Sequence, residues 1–403
     1  MHCVDIISDG GNDALWSGDS RRLTDIPRQI ELSTLSASGT KYWASHLDIL
    51  RDDGLFSLCI LCFKVAVQKL PNSLAQFATL FWPEVGERLK HDSYDSRDIS
   101  IVTAFFDLGR EDWKVESGKK SPFQRSTDHY FEYFSHLARL KNPMVIFVAP
   151  EHRLRVLELR RKAGLERITH IFSVSDLFQV PALKVLAAEV QSKMTPSLRA
   201  WTRFPKSPEY NYSNYVILDA LKSIFINTAI DAEVVRTEQV AWVDFGYARD
   251  EKCFDTTKPW RFDGGGKINL FHMRPIDDLP IFRVVQRGYV YFQGGCKIGP
   301  ISAWPAFSEA IDHSLASLLK ADLVDDEQTL LLMAWRANPD FYRIHAVDRR
   351  DWRVVIRFFN ESMMGEDVKF RDYRIVNALK ESGPGKFARS LASVTGRMID
   401  KFI

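Results

Sequence analysis

Cysteine is scarce in this chain: Cys3, Cys59, Cys62, Cys253 and Cys296 are scattered through 403 residues. An odd and dispersed set of that kind excludes a disulfide framework of the sort that holds small secreted domains together, and it favours a reducing compartment. Long apolar runs are missing too. The best candidate, Leu55 to Val67, contains Lys64 and falls short of the roughly 20 apolar residues a membrane-spanning helix needs. Charge imbalance is absent: 54 basic against 52 acidic side chains leave a formal net charge of +2. That balance gives no whole-chain case for a nucleic-acid partner and leaves any recognition of polyanions to local clusters. There is no internal repeat and no low-complexity stretch. The opening MHCVDIISDGG lacks a basic start and a continuous apolar core, so no signal peptide is expected and the cytoplasm is the expected location.

What is present is a folded, globular composition, 45% hydrophobic and 26% charged. Its texture changes near residue 97. Residues 1–97 are predicted to form a largely helical extension, closed by the polar linker HDSYDSRD. From Ser100 the pattern alternates. SIVTAFF reads as a buried parallel strand and stops at Asp107-Leu108-Gly109-Arg110. A helix through Tyr130, Phe131 and Phe134 follows behind Ser126 to Asp128, and MVIFVA reads as the next strand. A basic helix over residues 152–163 with a solvated face, the strand ITHIFSV, a long helix from Tyr212 to Ile230 and the strand VAWVD continue the series. KINLF and FRVVQRGYVYF read as two further strands, before helices through Phe307 to Leu318 and from Asp325 or Asp326 onward. Repeated strand-helix-strand units predict an α/β fold with a mostly parallel sheet flanked by helices over residues 98–346, and such sheets bind ligands at their carboxyl edge. Residues 347–403 carry 12 basic and 8 acidic side chains among aromatic and apolar ones, a pattern suited to peripheral contact with an anionic membrane surface or glycolipid.

Five groups of residues can carry chemistry, and each has a plainer structural explanation. In FFDLGREDW, Asp107 can accept hydrogen bonds from a base or ribose, Gly109 lets backbone approach a ligand and Arg110 can neutralise phosphate; on spacing alone a turn with a salt bridge is the better explanation, since charged strand-end loops are routine. In AWVDFGYAR, Asp244 stands at a strand end where a lone carboxylate can hold a magnesium or manganese ion bridging two phosphates, or can cap a turn. LVDDEQTLL opens a helix with Asp325, Asp326 and Glu327. One of these can serve as a general base, while Asp325 with Gln328 also has capping-box spacing. In QGGCKIGP, Gly294 and Gly295 permit close approach to a sugar and Lys297 can reach phosphate, or the glycines make a tight turn. His345, on a predicted strand, is a candidate metal ligand through Nε2, or a hydrogen-bonded core residue. Cys59-x-x-Cys62 has no second cysteine pair and reads as core packing.

IVTAFFDLGREDW, YFEYFSHLARLKNPMVIFVAPE, PEYNYSNYVILDALKSIFINTAI and WVDFGYAR, in that order, resemble the HtrL/YibB, or WlaTC-like, family of bacterial glycosyltransferases across residues 98–346. The resemblance implies a GT-A-like fold, a UDP-hexose donor such as a galactose form, and an acceptor in a surface glycan such as lipopolysaccharide or capsule. It places Asp107, Gly109 and Arg110 in the nucleotide pocket, with Tyr215 and Lys222 as further candidates, and Asp244 at the metal-binding acid. Gly246 stands where an Asp-x-Asp pattern has its second acid, so the metal motif is incomplete. Two other functions fit the same residues. One is a phosphohydrolase with Asp107 as nucleophile, which lacks an acid at position 109; the other is a noncatalytic partner in glycan assembly that docks through residues 1–97.

Overall fold

A computed structural model of the chain describes residues 95–113, 123–347 and 352–359. The expected helices of residues 42–90, Cys59 and Cys62, and most of the basic segment 347–403 lie outside the described residues.

Among the described residues the chain forms one seven-stranded sheet in the order β3-β2-β1-β4-β6-β5-β7. The strands are β1 (Ile99–Phe105), β2 (Met144–Val148), β3 (Thr169–Ser173), β4 (Gln239–Val243), β5 (Ile268–His272), β6 (Cys296–Pro300) and β7 (Tyr342–Ala346). Pairs β1/β2, β2/β3, β1/β4 and β5/β7 are parallel, and only β6 runs against its neighbours β4 and β5. The mostly parallel, helix-flanked α/β architecture expected from the sequence is therefore the observed one.

The helices are α1 (Thr127–Leu137), α2 (Arg153–Lys162), α3 (Pro181–Lys193), α4 (Pro196–Trp201), α5 (Ser213–Ala220), α6 (Lys222–Asp231), α7 (Ile281–Arg287), α8 (Trp304–Lys320), α9 (Glu327–Ala337) and α10 (Val355–Phe358). Strand side chains alternate between two cores, because successive Cβ atoms point to opposite faces of a sheet. Val102, Phe147 and Trp242 join helices α3 to α9 on one face. Ile101, Ile146 and Val243 join α1, α2 and α10 on the other. Burial of both faces explains why the strands read as near-continuous apolar runs.

Three local expectations change. FRVVQRGYVYF is not a strand: Ile281–Arg287 is helical and ends at Gly288, whose φ of 58° closes the helix in the left-handed conformation. Its apolar residues at 281, 284 and 285 have helical spacing, and they bury Val284 and Val285. The helix from Tyr212 to Ile230 is divided at Leu221 into α5 and α6, which puts Lys222 at the head of the second. Finally, the basic helix is not wholly solvated, because Arg160 is fully buried. Its guanidinium donates to the carbonyls of Ala138 (3.0 Å), Leu140 (2.8 Å) and Asn142 (2.9 Å) and to the Thr169 hydroxyl (2.7 Å). It thereby satisfies carbonyls left open where α1 ends.

Candidate active site: an acidic cleft with an internal ammonium

The site is assembled at the carboxyl edge of β4. Asp244 follows the last residue of that strand, and its backbone N–H donates to the Gly295 carbonyl at 2.9 Å, tying the strand tip to the bend before β6. The pair Gly294-Gly295 is required by close approach. A Cβ on Gly294 would stand 2.5 Å from Glu327 Oε2, and one on Gly295 would stand 3.2 Å from Asp244 Oδ2. The bend thus admits the Glu327 carboxylate at a distance that leaves no room for a Cβ on Gly294, while Gly295 fits closely against Asp244.

Lys222, at the first position of α6, sends its ammonium into the middle of these acids. Nζ lies 3.0 Å from Asp219 Oδ1, 3.0 Å from Asp244 Oδ1 and 2.5 Å from Glu327 Oε2. The other Glu327 oxygen accepts from Lys297, which also donates to the Gly294 carbonyl at 2.9 Å. Trp242 Nε1 donates to Asp244 Oδ1 at 2.7 Å. A cleft of about 280 Å³ opens onto this cluster, lined among others by Tyr215, Asp219, Lys222, Asp244, Gly294, Gly295, Asp326, Glu327 and Trp352.

The charges set one another's proton affinities. Burial pushes the Lys222 ammonium down, but its three carboxylate neighbours outweigh that and hold it well above the usual lysine range. Burial pushes Asp244 up, and Lys222 with Lys297 pulls it below the usual carboxylate range. Asp326 goes the other way: burial, then the nearby Asp325, Glu209 and Asp219, raises it well above an ordinary aspartate. Burial also raises Glu327, against the pull of the two lysines. Glu209, half-buried near Asp325, is pushed up to about 8 by desolvation and by that carboxylate.

The three acids that open α9 have separate environments. Asp326, not Asp325, is the helix cap, accepting from the Gln328 N–H at 2.9 Å. Asp325 is buried behind it, accepting from the Thr329 hydroxyl (2.7 Å), the Asp326 N–H (3.0 Å) and the Tyr210 hydroxyl (3.3 Å). Asp326 and Glu327 line the cleft and Asp325 does not.

The loop after β1 lies at the same carboxyl edge, since β1 and β4 are parallel neighbours. Asp107 is exposed and both of its oxygens hold the loop, one accepting from Gly109 N–H (2.8 Å) and the other from the Thr127 hydroxyl (2.7 Å). Gly109 supplies the φ of 66° that starts the short helical turn of Arg110. Arg110 donates to the Phe123 carbonyl at 2.9 Å and to the Tyr130 hydroxyl, and its guanidinium sits 4.8 Å from the Trp113 ring centre and 5.9 Å from that of Tyr215. Trp113 stacks on Tyr212 at 3.9 Å between ring centres. Through these rings the β1 loop abuts the Tyr215 wall of the cleft, but Asp107, Gly109 and Arg110 do not line it.

Two expected ligand contacts have other partners. Lys297 is 1% exposed and spends its donors on Glu327 and Gly294, so its charge acts on the neighbouring acids from inside the protein. His345 belongs to the opposite face of the sheet, where Nε2 meets Asn269 Oδ1 at 2.8 Å and the ring packs among Phe262, Phe271 and Phe359. Burial there lowers its pKa to about 4. Among the described residues no group of three or more His, Cys, Asp or Glu side chains is placed to hold a metal ion. Sequence reasoning missed Asp219 and Trp352. Asp219 stands three positions before Lys222, a helical ion-pair spacing that would have found it; nothing local marks Trp352.

Residues 97–361 match the model of a family described as "Bacterial protein of unknown function (HtrL_YibB)". The chain belongs to the HtrL/YibB family. Within it, Protein HtrL of Escherichia coli (strain K12) is 30% identical over 271 residues, covering 66% of this chain and 94% of that protein. Among solved structures, mouse xyloside xylosyltransferase 1 in its apo form is similar over 62% of this chain and 85% of its own, at 10% identity and a TM-score of 0.32. That likeness is too slight to assign chemistry. All the cleft residues lie inside the stretch that matches the HtrL/YibB model. No helix among the described residues is long and apolar enough to cross a membrane.

Proposed function

We propose that this HtrL/YibB protein is a glycosyltransferase that moves a hexose from a nucleotide sugar, a UDP-galactose form being the first donor to try, to a hydroxyl of a bacterial surface glycan. The observation that carries the proposal is the cleft itself: carboxylates fixed by the internal ammonium groups of Lys222 and Lys297, open at the carboxyl edge of a mostly parallel sheet. Such a cleft offers many acceptors to sugar hydroxyls and a carboxylate of raised proton affinity for general-base work.

Asp326 is the residue assigned to the acceptor. Its carboxylate lines the cleft, and its raised pKa makes it a stronger base than an ordinary aspartate once ionised. Glu327 is a poorer choice because both of its oxygens are engaged by lysines. Asp244 and Asp219 would bind sugar hydroxyls, with Lys222 holding both in position.

The divalent cation that the resemblance implies does not fit these residues. Asp244 Oδ1 already accepts from Lys222 and Trp242, position 246 is glycine, and His345 lies across the sheet. No step is therefore routed through a metal. The phosphohydrolase reading loses ground for a similar reason, since the Asp107 carboxylate is committed to Gly109 and Thr127.

The test is release of nucleoside diphosphate from a panel of nucleotide sugars, with a glycan acceptor, in manganese and in EDTA. Turnover that disappears in Asp326→Asn is the expected result. If no donor is consumed under either condition, the function is not glycosyl transfer.

A further inference from the structure

Gln293 stands at the head of the bend that carries Gly294 and Gly295, and it lines the acidic cleft. Two contacts fix it. Its backbone N–H donates to the Phe271 carbonyl at 2.9 Å, which ties it to β5, and its side-chain Nε2 donates to the Cys296 carbonyl at 2.7 Å, which carries the amide across the bend to β6. The residue is 2% exposed, and its Oε1 is buried without a hydrogen-bond partner. Turning the amide over offers no remedy, because oxygen would then face the Cys296 carbonyl oxygen.

A buried amide oxygen without a donor carries a desolvation cost that the great majority of buried polar groups avoid. Other orphaned atoms occur among the described residues, on Thr103, Asn227 and Asp312 for example, but of the described orphans Gln293 is the one that belongs to the wall of the cleft. Its neighbours there differ from it. Asp219, Asp244 and Glu327 are met by lysine ammonium groups, and Asp326 accepts from the Gln328 N–H. A carboxylate short of a donor has a further recourse, which is to take up a proton. A neutral amide oxygen has none, and it is satisfied by an O–H or N–H that comes to it.

We propose that Gln293 is a specificity-determining residue of the cleft, and that its Oε1 accepts a hydrogen bond from one hydroxyl of the sugar bound there. That the ligand is a sugar rests on the glycosyltransferase reading; that a donor is called for at this point rests on the orphaned oxygen. A site that offers a buried acceptor to a hydroxyl rejects the analogue lacking that hydroxyl, because the analogue leaves the acceptor unpaired. The two anchors hold the amide before the ligand arrives, so little ordering remains to be done on binding.

The test is calorimetric titration of the full chain, without acceptor, with a panel of UDP-hexoses, and then with the monodeoxy analogues of the tightest binder, one for each hydroxyl of its sugar. One analogue is expected to bind about ten- to a hundredfold more weakly than its parent. In Gln293→Met, whose side chain has similar length and no acceptor oxygen, that analogue and the parent should bind alike. Thermal melting shows whether the variant is folded, and Gln293→Asn, which withdraws the oxygen on a shorter amide, takes its place if it is not. Equal affinity of the wild type for the parent and every analogue, or discrimination that survives in the folded variant, overturns the assignment. The two proposals fail separately. Discrimination that disappears with Gln293, with no donor ever consumed, leaves the sugar contact and removes the transfer; donor consumption with no analogue discriminated does the opposite. Absence of binding by every UDP-hexose removes the contact whatever the fate of the transfer.

Discussion

Arg160 and Lys222 are both buried cations, and their surroundings differ in the way that matters. Arg160 is enclosed on the helix side of β2 and β3, and the partners described for it are backbone carbonyls and one hydroxyl. Among the described residues it has no countercharge, so burial alone acts on it and lowers its pKa to about 9. Lys222 is surrounded by carboxylates, is pushed the other way, and borders a cleft. The first arrangement closes a helix end and couples α1, α2 and the sheet. The second keeps several ionised groups at one solvent-facing point, which costs desolvation free energy that a purely structural site has no reason to carry. Buried charge is thus ambiguous until its partners and its access to solvent are known.

The comparison can be broken most decisively at Lys222. In Lys222→Met the carboxylates of Asp219, Asp244 and Glu327 lose their shared cation, and donor turnover is expected to fall about a thousandfold, as when a key electrostatic group is removed from an active site. Turnover near wild type in a folded variant would make Lys222 a structural cation like Arg160. The converse substitution, Arg160→Met, should lower unfolding free energy by about 3–4 kcal/mol in denaturant titration, because its carbonyl acceptors are left without donors, while the affinity of the folded protein for nucleotide is unchanged.

A smaller effect concerns Glu209, whose folded-state pKa of about 8 lies above the ordinary glutamate value of 4.5. A carboxyl raised in the fold favours the native state when protonated, and that contribution is lost as pH climbs through the folded pKa. Stability should therefore decline between roughly pH 5 and 8, and Glu209→Gln should flatten the decline in melts taken across that range. The smallest expected change is in Gly294→Ala. Its Cβ would press on Glu327 Oε2, so a loss of about 1 kcal/mol and a modest fall in turnover are expected, read by melting and by initial rates.

Much of the fold was legible before any coordinates. SIVTAFF, MVIFVA, ITHIFSV and VAWVD are strands because uninterrupted apolar runs of that length suit a sheet covered on both faces. FRVVQRGYVYF misled because Val284 and Val285 favour strands locally, while burial of one face of a short helix and the stop at Gly288 decide otherwise. β6 was hidden because its run CKIGP carries a lysine and a proline. Lys297 is tolerated in a central strand only because Glu327 meets it there. In the site, Asp244, Gly294, Gly295 and the acids of α9 stood out by type and position. Trp352 had no local mark, since it lies far along the chain from the other residues of the cleft.

The sequence by itself determined the alternation of strands and helices, the faces those strands bury and the acids at their carboxyl ends, because each depends on side-chain periodicity over a few residues. Only the tertiary structure decided which acid faces which cation. Lys222 and Glu327 are 105 positions apart, and they meet because β6 inserts antiparallel beside β4 and brings the glycine bend between the heads of α6 and α9. Ion pairing acts through a few ångströms of space whatever the separation along the chain, so no local pattern can specify it.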